Sequence, residues 1–283
     1  TAYILSETIK KLDYDLILCG RQSVDGDTAQ VGPMLSAKLG VDVVTNVITL
    51  DKELNAKTRL GEVKIKTPSV VTIERGYYLR LPSIFSKLGE VAVWDNTKIC
   101  CDVSKCGLDG SPTRVLKIFQ SRSGKRKCQF INMSELIPLV KSLREQDFQK
   151  TEQSLSKEKL KSVWAIGEKV LPKAQEIADD VVLITETEPE KIAEMARIQK
   201  PSVILWNADT EGRKNAPIVA AMLDTGLCAD CTSLEADGEK LIMYRPAKGG
   251  NIYAKIKCLT NPQMATVRTK AESSDIIVSM GKG

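Results

Sequence analysis

The stretch Cys19-Gly20-Arg21-Gln22-Ser23-Val24-Asp25-Gly26-Asp27-Thr28-Ala29-Gln30-Val31-Gly32-Pro33 holds the residues best placed for chemistry. An apolar run, Asp15-Leu16-Ile17-Leu18, precedes it and reads as a buried parallel strand. Met34 to Leu39 follows and reads as a helix. A strand, a polar glycine-containing loop and a helix start, in that order, aim the free N–H groups of the first helical turn into the crevice at the strand's carboxyl end. Those donors and the positive end of the helix dipole stabilise an anion there, typically a nucleotide phosphate. Thr28 and Gln30 offer a hydroxyl and an amide beside the backbone donors. Asp25 and Asp27 repel phosphate. N-capping is therefore expected of Asp27 and turn formation of Asp25, with hydrogen bonding to a ribose as the functional alternative.

Other chemistries are narrowed by composition. Histidine is absent from the 283 residues, which removes Ser-His-Asp and Cys-His catalysis, His-ligated zinc and the commonest general base. No catalytic acid, base or nucleophile is identified. Eight cysteines remain. Without a basic-then-apolar leader, reduced thiols in the cytoplasm (or the mitochondrial matrix, if the source is eukaryotic) are the expectation. Cys228-Ala229-Asp230-Cys231 invites a zinc or redox reading. On a strand, however, residues three apart face opposite sides, so the motif reads as structural. Cys100, Cys101 and Cys106 sit in a loop-like stretch without a second CxxC, and no metal is expected. The net charge of +5 is spread out, and the dense cluster Arg122–Lys127 reads as a solvated turn, so nucleic acid is not an expected partner. No apolar run approaches the ~20 residues of a membrane span.

The elements that position the loop recur. The first half reads strand Tyr14–Gly20, loop, helix to Leu39, strand Val43–Leu50. The second reads strand Ser202–Asn207, loop Ala208–Lys214, helix to Asp224, strand Cys228–Leu234. The halves align without gaps, Gly26 over Gly212 and Leu39-Gly40-Val41 over Thr225-Gly226-Leu227, with Gly40 and Gly226 as expected helix C-caps. Each half continues into further strands: Glu62–Lys66 and Ser69–Glu74, then Lys240–Arg245 and Ile252–Cys258. This is a duplicated α/β unit with doubly wound parallel sheets and a late antiparallel strand in each. Arg75 to Gln129 reads as irregular, Met133 to Gln146 as a helix, and the polar run at 151–161 as a linker. That gives domains at 1–150 and 162–283.

The wording of these segments resembles the electron transfer flavoproteins. Residues Tyr14 to about Phe130 are similar to the carboxyl-terminal part of the β subunit. There Leu81-Pro82-Ser83-Ile84 resembles the loop whose leucine docks on a client dehydrogenase, and Gly110-Ser111-Pro112-Thr113-Arg114-Val115 resembles the start of the arm that reaches the α subunit. Residues about 163 to 283 are similar to the amino-terminal domain of the α subunit, on the strings Gly226-Leu227-Cys228-Ala229-Asp230-Cys231-Thr232, Arg245-Pro246-Ala247-Lys248-Gly249-Gly250-Asn251 and Pro262-Gln263-Met264-Ala265-Thr266-Val267-Arg268. The chain resembles a fusion of the two. The resemblance implies two Rossmann-like domains of the adenine nucleotide alpha hydrolase-like type, the first incomplete at its N-terminus. It implies AMP or FAD held by Cys19, Gly20, Ser23, Val24, Asp25, Asp27, Thr28, Ala29, Gln30, Val31, Gly32, Pro33 and Met34. It also implies an electron carrier or its scaffold rather than an enzyme, with a flavin-dependent dehydrogenase, of acyl-CoA dehydrogenase type, as partner.

Two departures qualify that expectation. The β-like half lacks the strands that precede Tyr14 in the family. The α-like half stops at Gly281-Lys282-Gly283, where the FAD domain would begin. Lys282 stands where the family has an Arg on the FAD pyrophosphate, keeping the charge and losing the planar fork. A half-sheet without its first strands is expected to expose an apolar edge and face. The chain is therefore expected to be a fragment, or to be completed by a further electron transfer flavoprotein chain. The alternative function is a non-redox adenine-nucleotide-binding regulatory module that has lost its flavin domain.

Overall fold

The computed structural model describes residues 1–76, 81–87, 89–120, 132, 135, 137, 138, 159–250 and 252–269. Three sheets and six helices make up the described part. The first lobe holds α1 (Ala2–Ile9), β1 (Leu16–Gly20), α2 (Val31–Leu39), β2 (Asp42–Leu50), β3 (Asn55–Thr58), β4 (Gly61–Lys64) and β5 (Ser69–Ile73). After these come α3 (Asn96–Ile99) and β6 (Thr113–Gln120). The second lobe holds β7 (Val163–Ile166), α4 (Leu171–Ile177), β8 (Val181–Ile184), α5 (Pro189–Gln199), β9 (Val203–Asn207) and α6 (Thr210–Met222). It continues with β10 (Leu227–Cys231), β11 (Ser233–Asp237), β12 (Lys240–Ala247), β13 (Ile252–Cys258) and β14 (Gln263–Val267). Most of the expected helix at 133–146, the cluster 122–127, Lys282 and most of the 151–161 run lie outside the described residues.

The first sheet runs β1-β5-β2-β3-β4, parallel across its first three strands and antiparallel beyond. The second runs β10-β14-β9-β7-β8 and is parallel throughout. The third, β11-β12-β13-β6, is antiparallel, and its last strand comes from the segment that follows the first lobe. The chain is thus an α/β fold of two Rossmann-like units, joined by β6 pairing with β13 in the third sheet.

The repeat is real, but its register differs from the ungapped alignment. Leu16 pairs with Ser69 as Val203 pairs with Gln263, so β5 and β14 are the equivalent central strands. Ser69–Ile73 therefore corresponds to β14 and not to Ile252–Cys258; the hairpin between is shorter in the first lobe. Val43 faces Val70 as Leu227 faces Met264, which places Val43 over Leu227. Gly40 does cap α2 in a left-handed conformation (φ 69°), but its counterpart is Asp224 (φ 48°). Gly226 is there for space: a Cβ on it would lie 2.7 Å from the Pro112 carbonyl oxygen, where the chain entering β6 crosses β10.

Two other expectations change. β1 is parallel, but it is an edge strand, and Leu18 is 60% exposed. The expected strand 228–234 breaks into β10 and β11, because Asp230 takes φ 64° and bulges the pairing between Cys228 and Cys231. The bulge cancels the alternation of faces, so both thiols enter one core with Cys258, and the Cys231 thiol donates to the Cys228 carbonyl at 3.4 Å. The hydrogen bond with Cys228 and full burial push the Cys231 thiol well up, and burial pushes Cys258 up to about 12. These are structural thiols.

Burial is uneven. The second lobe packs two clusters, one around Leu205, Leu241 and Met243 and one around Trp164, Ile192 and Met264. The first lobe has a small one of Val47, Ala56, Ile65 and Val71. It is steadied by the second lobe: equivalent helices α2 and α6 pack on each other, and Met34 reaches the Trp164 cluster.

Candidate functional site

Beyond β1 the chain does not enter a helix at once. The helix starts at Val31, and Gln30 is its N-cap without a side-chain cap bond, so Asp27 is not the cap expected of it. Asp27 sits instead at φ 50° with its carboxylate shared: Oδ1 accepts from Gln22 Nε2 at 2.9 Å, and Oδ2 from the Gly249 N–H at 3.0 Å. The second of these crosses to the other lobe. So do Arg245, whose guanidinium donates to the Gly26 carbonyl, and Gln30, whose Nε2 donates to the Leu227 carbonyl at 3.1 Å. Gly26–Gln30 is thus pinned by two of the strings singled out in the second half, around Gly226 and around Arg245. Asp25 stays exposed, and its carboxyl lies below the usual range, held there by the Ser23 hydroxyl and the Gly26 backbone.

In the second lobe the corresponding segment is shorter than the expected loop Ala208–Lys214. Asp209 caps α6, its Oδ1 accepting from Gly212 N–H at 2.8 Å, so the helix begins at Thr210. Gly212 is required there, since a Cβ would stand 1.9 Å from the Asn207 carbonyl oxygen.

Both segments border one cleft of about 290 Å³. Arg21, Ala29, Pro33, Thr45, Asn46, Arg59 and Thr72 line it from the first lobe, and residues 208–210, 213 and 214 from the second. It lies at the carboxyl ends of β1, β5 and β9 and beside the bulge of β2 at Thr45 and Asn46, where doubly wound sheets hold ligands. Four of its residues are cations: Arg21, Arg59, Arg213 and Lys214. Two buried carboxylates fix three of them. Glu74 takes Arg21 on Oε1 and Arg59 on Oε2, each at 2.7 Å. Asp230 takes Arg213 on Oδ1 at 2.8 Å and Arg268 on both oxygens. Burial alone would raise both carboxyls; for Glu74 the Arg21 hydrogen bond, and for Asp230 the Arg268 hydrogen bond, lead the contributions that hold them low. Lys214 has no ion pair among the described residues.

Of the residues expected to bind a nucleotide, Ala29 and Pro33 border the cleft. Thr28 is half-buried on the approach to Ala29. Cys19 is half-buried on β1, its thiol raised by that burial, and Gly20 ends the strand exposed. Ser23 and Val24 point to solvent, while Val31 is partly exposed on the first turn of α2. Gly32 is buried where α2 meets β5, with no room for a Cβ beside Thr72 Cγ2 at 2.3 Å. Met34 packs on the other lobe. The loop Leu81, Pro82, Ser83 and Ile84 stands fully out, Leu81 at 86% and Ile84 at 92% exposure, with Phe85 beside them at 87%. Of the cleft cations, Arg21, Arg213 and Lys214 are not among the residues the sequence singles out to hold a nucleotide, because one loop taken alone conceals that the repeat brings 21–30 and 208–214 together.

A family model described as electron transfer flavoprotein domain matches residues 1–97 and 168–275. The chain belongs to the electron transfer flavoprotein family. It is 36% identical over 129 residues to an electron transfer flavoprotein subunit beta of Clostridium acetobutylicum, covering 41% of this chain and 50% of that one. It is 50% identical over 86 residues to a subunit alpha of Thermoanaerobacterium thermosaccharolyticum, covering 30% of this chain and 26% of that one. A protein FixA of Azorhizobium caulinodans is 30% identical over 159 residues, 49% of this chain and 57% of that one. The chain therefore spans about half the length of the beta relatives and about a quarter of the alpha relative. Similarity to both subunits agrees with the fusion read from the sequence. No helix among the described residues is long and apolar enough to cross a membrane.

Proposed function

We propose that this chain is the nucleotide-holding scaffold of an electron transfer flavoprotein-type carrier. In this reading the interlobe cleft takes the phosphate of AMP, or the adenylate end of FAD, with residues 19–34 as one wall and α6 as the other. The observation that carries it is the cleft itself: four cations at the carboxyl edge of a parallel sheet, three of them held in place by Glu74 and Asp230. The donor set suits a phosphate, since guanidinium groups form paired bonds to its oxygens and α2 adds its dipole. The volume lies near the lower end of the ~300–1,000 Å³ usual for ligand pockets, which favours one nucleotide over a whole dinucleotide.

Bound flavin supplies the electron chemistry, and the protein sets its place and surroundings. In this chain Arg21, Arg59 and Arg213 hold phosphate charge, Lys214 adds a further cation, and Asp27 and Gln30 keep the two walls in register. Leu81 and Ile84 serve as the docking surface for a flavin-dependent dehydrogenase of acyl-CoA dehydrogenase type. A further electron transfer flavoprotein chain pairs with the open edge of β1. We divide the chain at 151–161 and place it in the cytoplasm or the mitochondrial matrix. Denaturing the purified protein and identifying the nucleotide it releases tests the reading. AMP or FAD at close to one per chain is the expected result; a protein that releases neither, and takes up neither when both are supplied, overturns it.

A further inference from the structure

Strand β6 is the last strand of the third sheet, and β13 takes one of its two edges. Among the described residues no strand takes the other. Arg114 to Gln120 are all exposed, Val115 at 53% and Ile118 at 60%. The strand is nevertheless anchored at its start. The Leu259 N–H donates to the Pro112 carbonyl at 2.8 Å, and the Ser111 hydroxyl donates to the Thr113 carbonyl at 2.9 Å. An open, ordered edge of this kind is a template for a further strand.

The side chains of β6 divide by face. Residues opposed across a ladder share a face, and the register sets Phe119 beside Tyr253, Lys117 beside Lys255 and Arg114 beside Lys257. A bulge between the Lys255 and Ile256 pairs keeps Lys117 and Arg114 on one side although they are three apart. That side is the outer one, because Ala254 and Cys258 of β13 point the other way and are buried. Two neighbouring rungs there set a cation against a cation, and like charges so opposed repel. Glu235 offsets Lys255, its Oε2 lying 3.9 Å from the ammonium nitrogen. Arg114, Lys117 and Lys257 have no ion pair among the described residues. On the inner side Val115 and Ile118 stand beside Ile256 and Ala254 and run out past the core into solvent.

We propose that β6 docks an extended acidic segment of a partner protein, which joins the third sheet as a fifth strand. The segment alternates Asp or Glu with apolar residues. Its carboxylates meet Arg114 and Lys117 on the outer face, where Lys257 adds to the field. Its apolar side chains cover Val115 and Ile118 on the inner face, and its backbone fills the open hydrogen bonds of the edge. Charge decides the occupant. A second copy of β6 would set Arg114 and Lys117 against the same cations, so self-pairing is repelled. A nucleic acid or an anionic bilayer would meet the cations and leave both the strand edge and the inner apolar residues bare. The site lies on a different sheet from the nucleotide cleft and does not depend on it.

Fluorescence anisotropy of the whole chain with labelled peptides tests this. The probes are a peptide of about eight residues alternating Glu and Val, the same peptide with Lys for Glu, and the Glu form methylated along its backbone nitrogens. The expected result is saturable binding of the first alone. Lys117→Glu is expected to weaken it at least about fivefold, and Lys52→Glu, on the exposed turn after β2, to leave it unchanged. Lys117→Glu turns a like pair with Lys255 into an opposite one, so its unfolding midpoint stays level or rises and lost binding is not lost folding. Absence of saturable binding below about 1 mM overturns the proposal. So does equal binding of the methylated peptide, which would be charge without strand pairing. Equal binding by Lys117→Glu, or equal weakening in Lys52→Glu, would place the peptide elsewhere and overturns it too. Tighter binding of an oligothymidylate of equal charge would mark a general polyanion site in its stead.

Discussion

Asp230 sits 9% exposed at its side chain, between Arg213 and Arg268, with its N–H on the Thr266 hydroxyl at 2.8 Å. Its carboxyl is held below the usual range, so its folded pKa is lower than its unfolded one. Stability from this group is therefore complete above the unfolded carboxylate value of about 4 and is lost as pH falls through the folded value. Glu74 has the same sign of shift. Urea unfolding as a function of pH is expected to show a loss of stability below about pH 4 that becomes shallower in Asp230→Asn. An unchanged acid limb would show that Asp230 does not carry this dependence. At neutral pH, Asp230→Ala is expected to cost about 2–3 kcal/mol, below the ~3–5 of a fully buried pair because both arginines reach solvent. The string around Asp230 was legible in the sequence as a motif, but its role was not. Strand alternation put Cys228 and Cys231 on opposite faces, and the left-handed Asp230 that overrides alternation is visible only once its two arginines are brought to it.

Helix α2 meets β5 at its first turn, and the contact leaves no space for a side chain at Gly32. Gly32→Ala is expected to destabilise the chain by about 1–3 kcal/mol, the usual range for overpacking. The atom in the way is Thr72 Cγ2, whereas Thr72 Oγ1 accepts the Asn46 N–H at 3.0 Å. Thr72→Ser removes the first and keeps the second. The double variant is expected to recover about half of the loss or more in denaturant unfolding, and additive costs would contradict the clash. Elements of this kind were largely readable. The strand–loop–helix order and the repeat follow from apolar periodicity, and β1, β5, β9 and β13 lie close to where periodicity puts them. Register was not readable, because a loop longer in the first lobe and a hairpin shorter there shift the equivalence by residues that a gapless alignment cannot supply. The helix start at Thr210 was missed as well, since Asp209 caps it inside what composition marks as loop.

Across the molecule, the larger core of the second lobe carries the smaller first lobe through α2 against α6, through β6 against β13, and through the bonds from Gly249, Arg245 and Gln30. Breaking one of these bonds is expected to loosen the cleft as much as the chain. Gln30→Ala should lower stability by about 1 kcal/mol and weaken nucleotide binding with it, read by unfolding and titration together. Leu81 stands clear of the body, so Leu81→Ala should slow electron transfer to the proposed dehydrogenase partner while leaving the unfolding midpoint in place; unchanged transfer would refute the proposed docking role. The cleft was not visible in either half alone, because each lobe contributes one wall. Calorimetric titration of the protein with AMP tests the nucleotide-holding role of that cleft most directly. The expected result is saturation near one AMP per chain, an affinity at least about tenfold weaker in Lys214→Glu (~1.4 kcal/mol), and weakening by added salt. Equal binding by the unsubstituted protein and Lys214→Glu, or no binding of AMP or FAD at all, would contradict it.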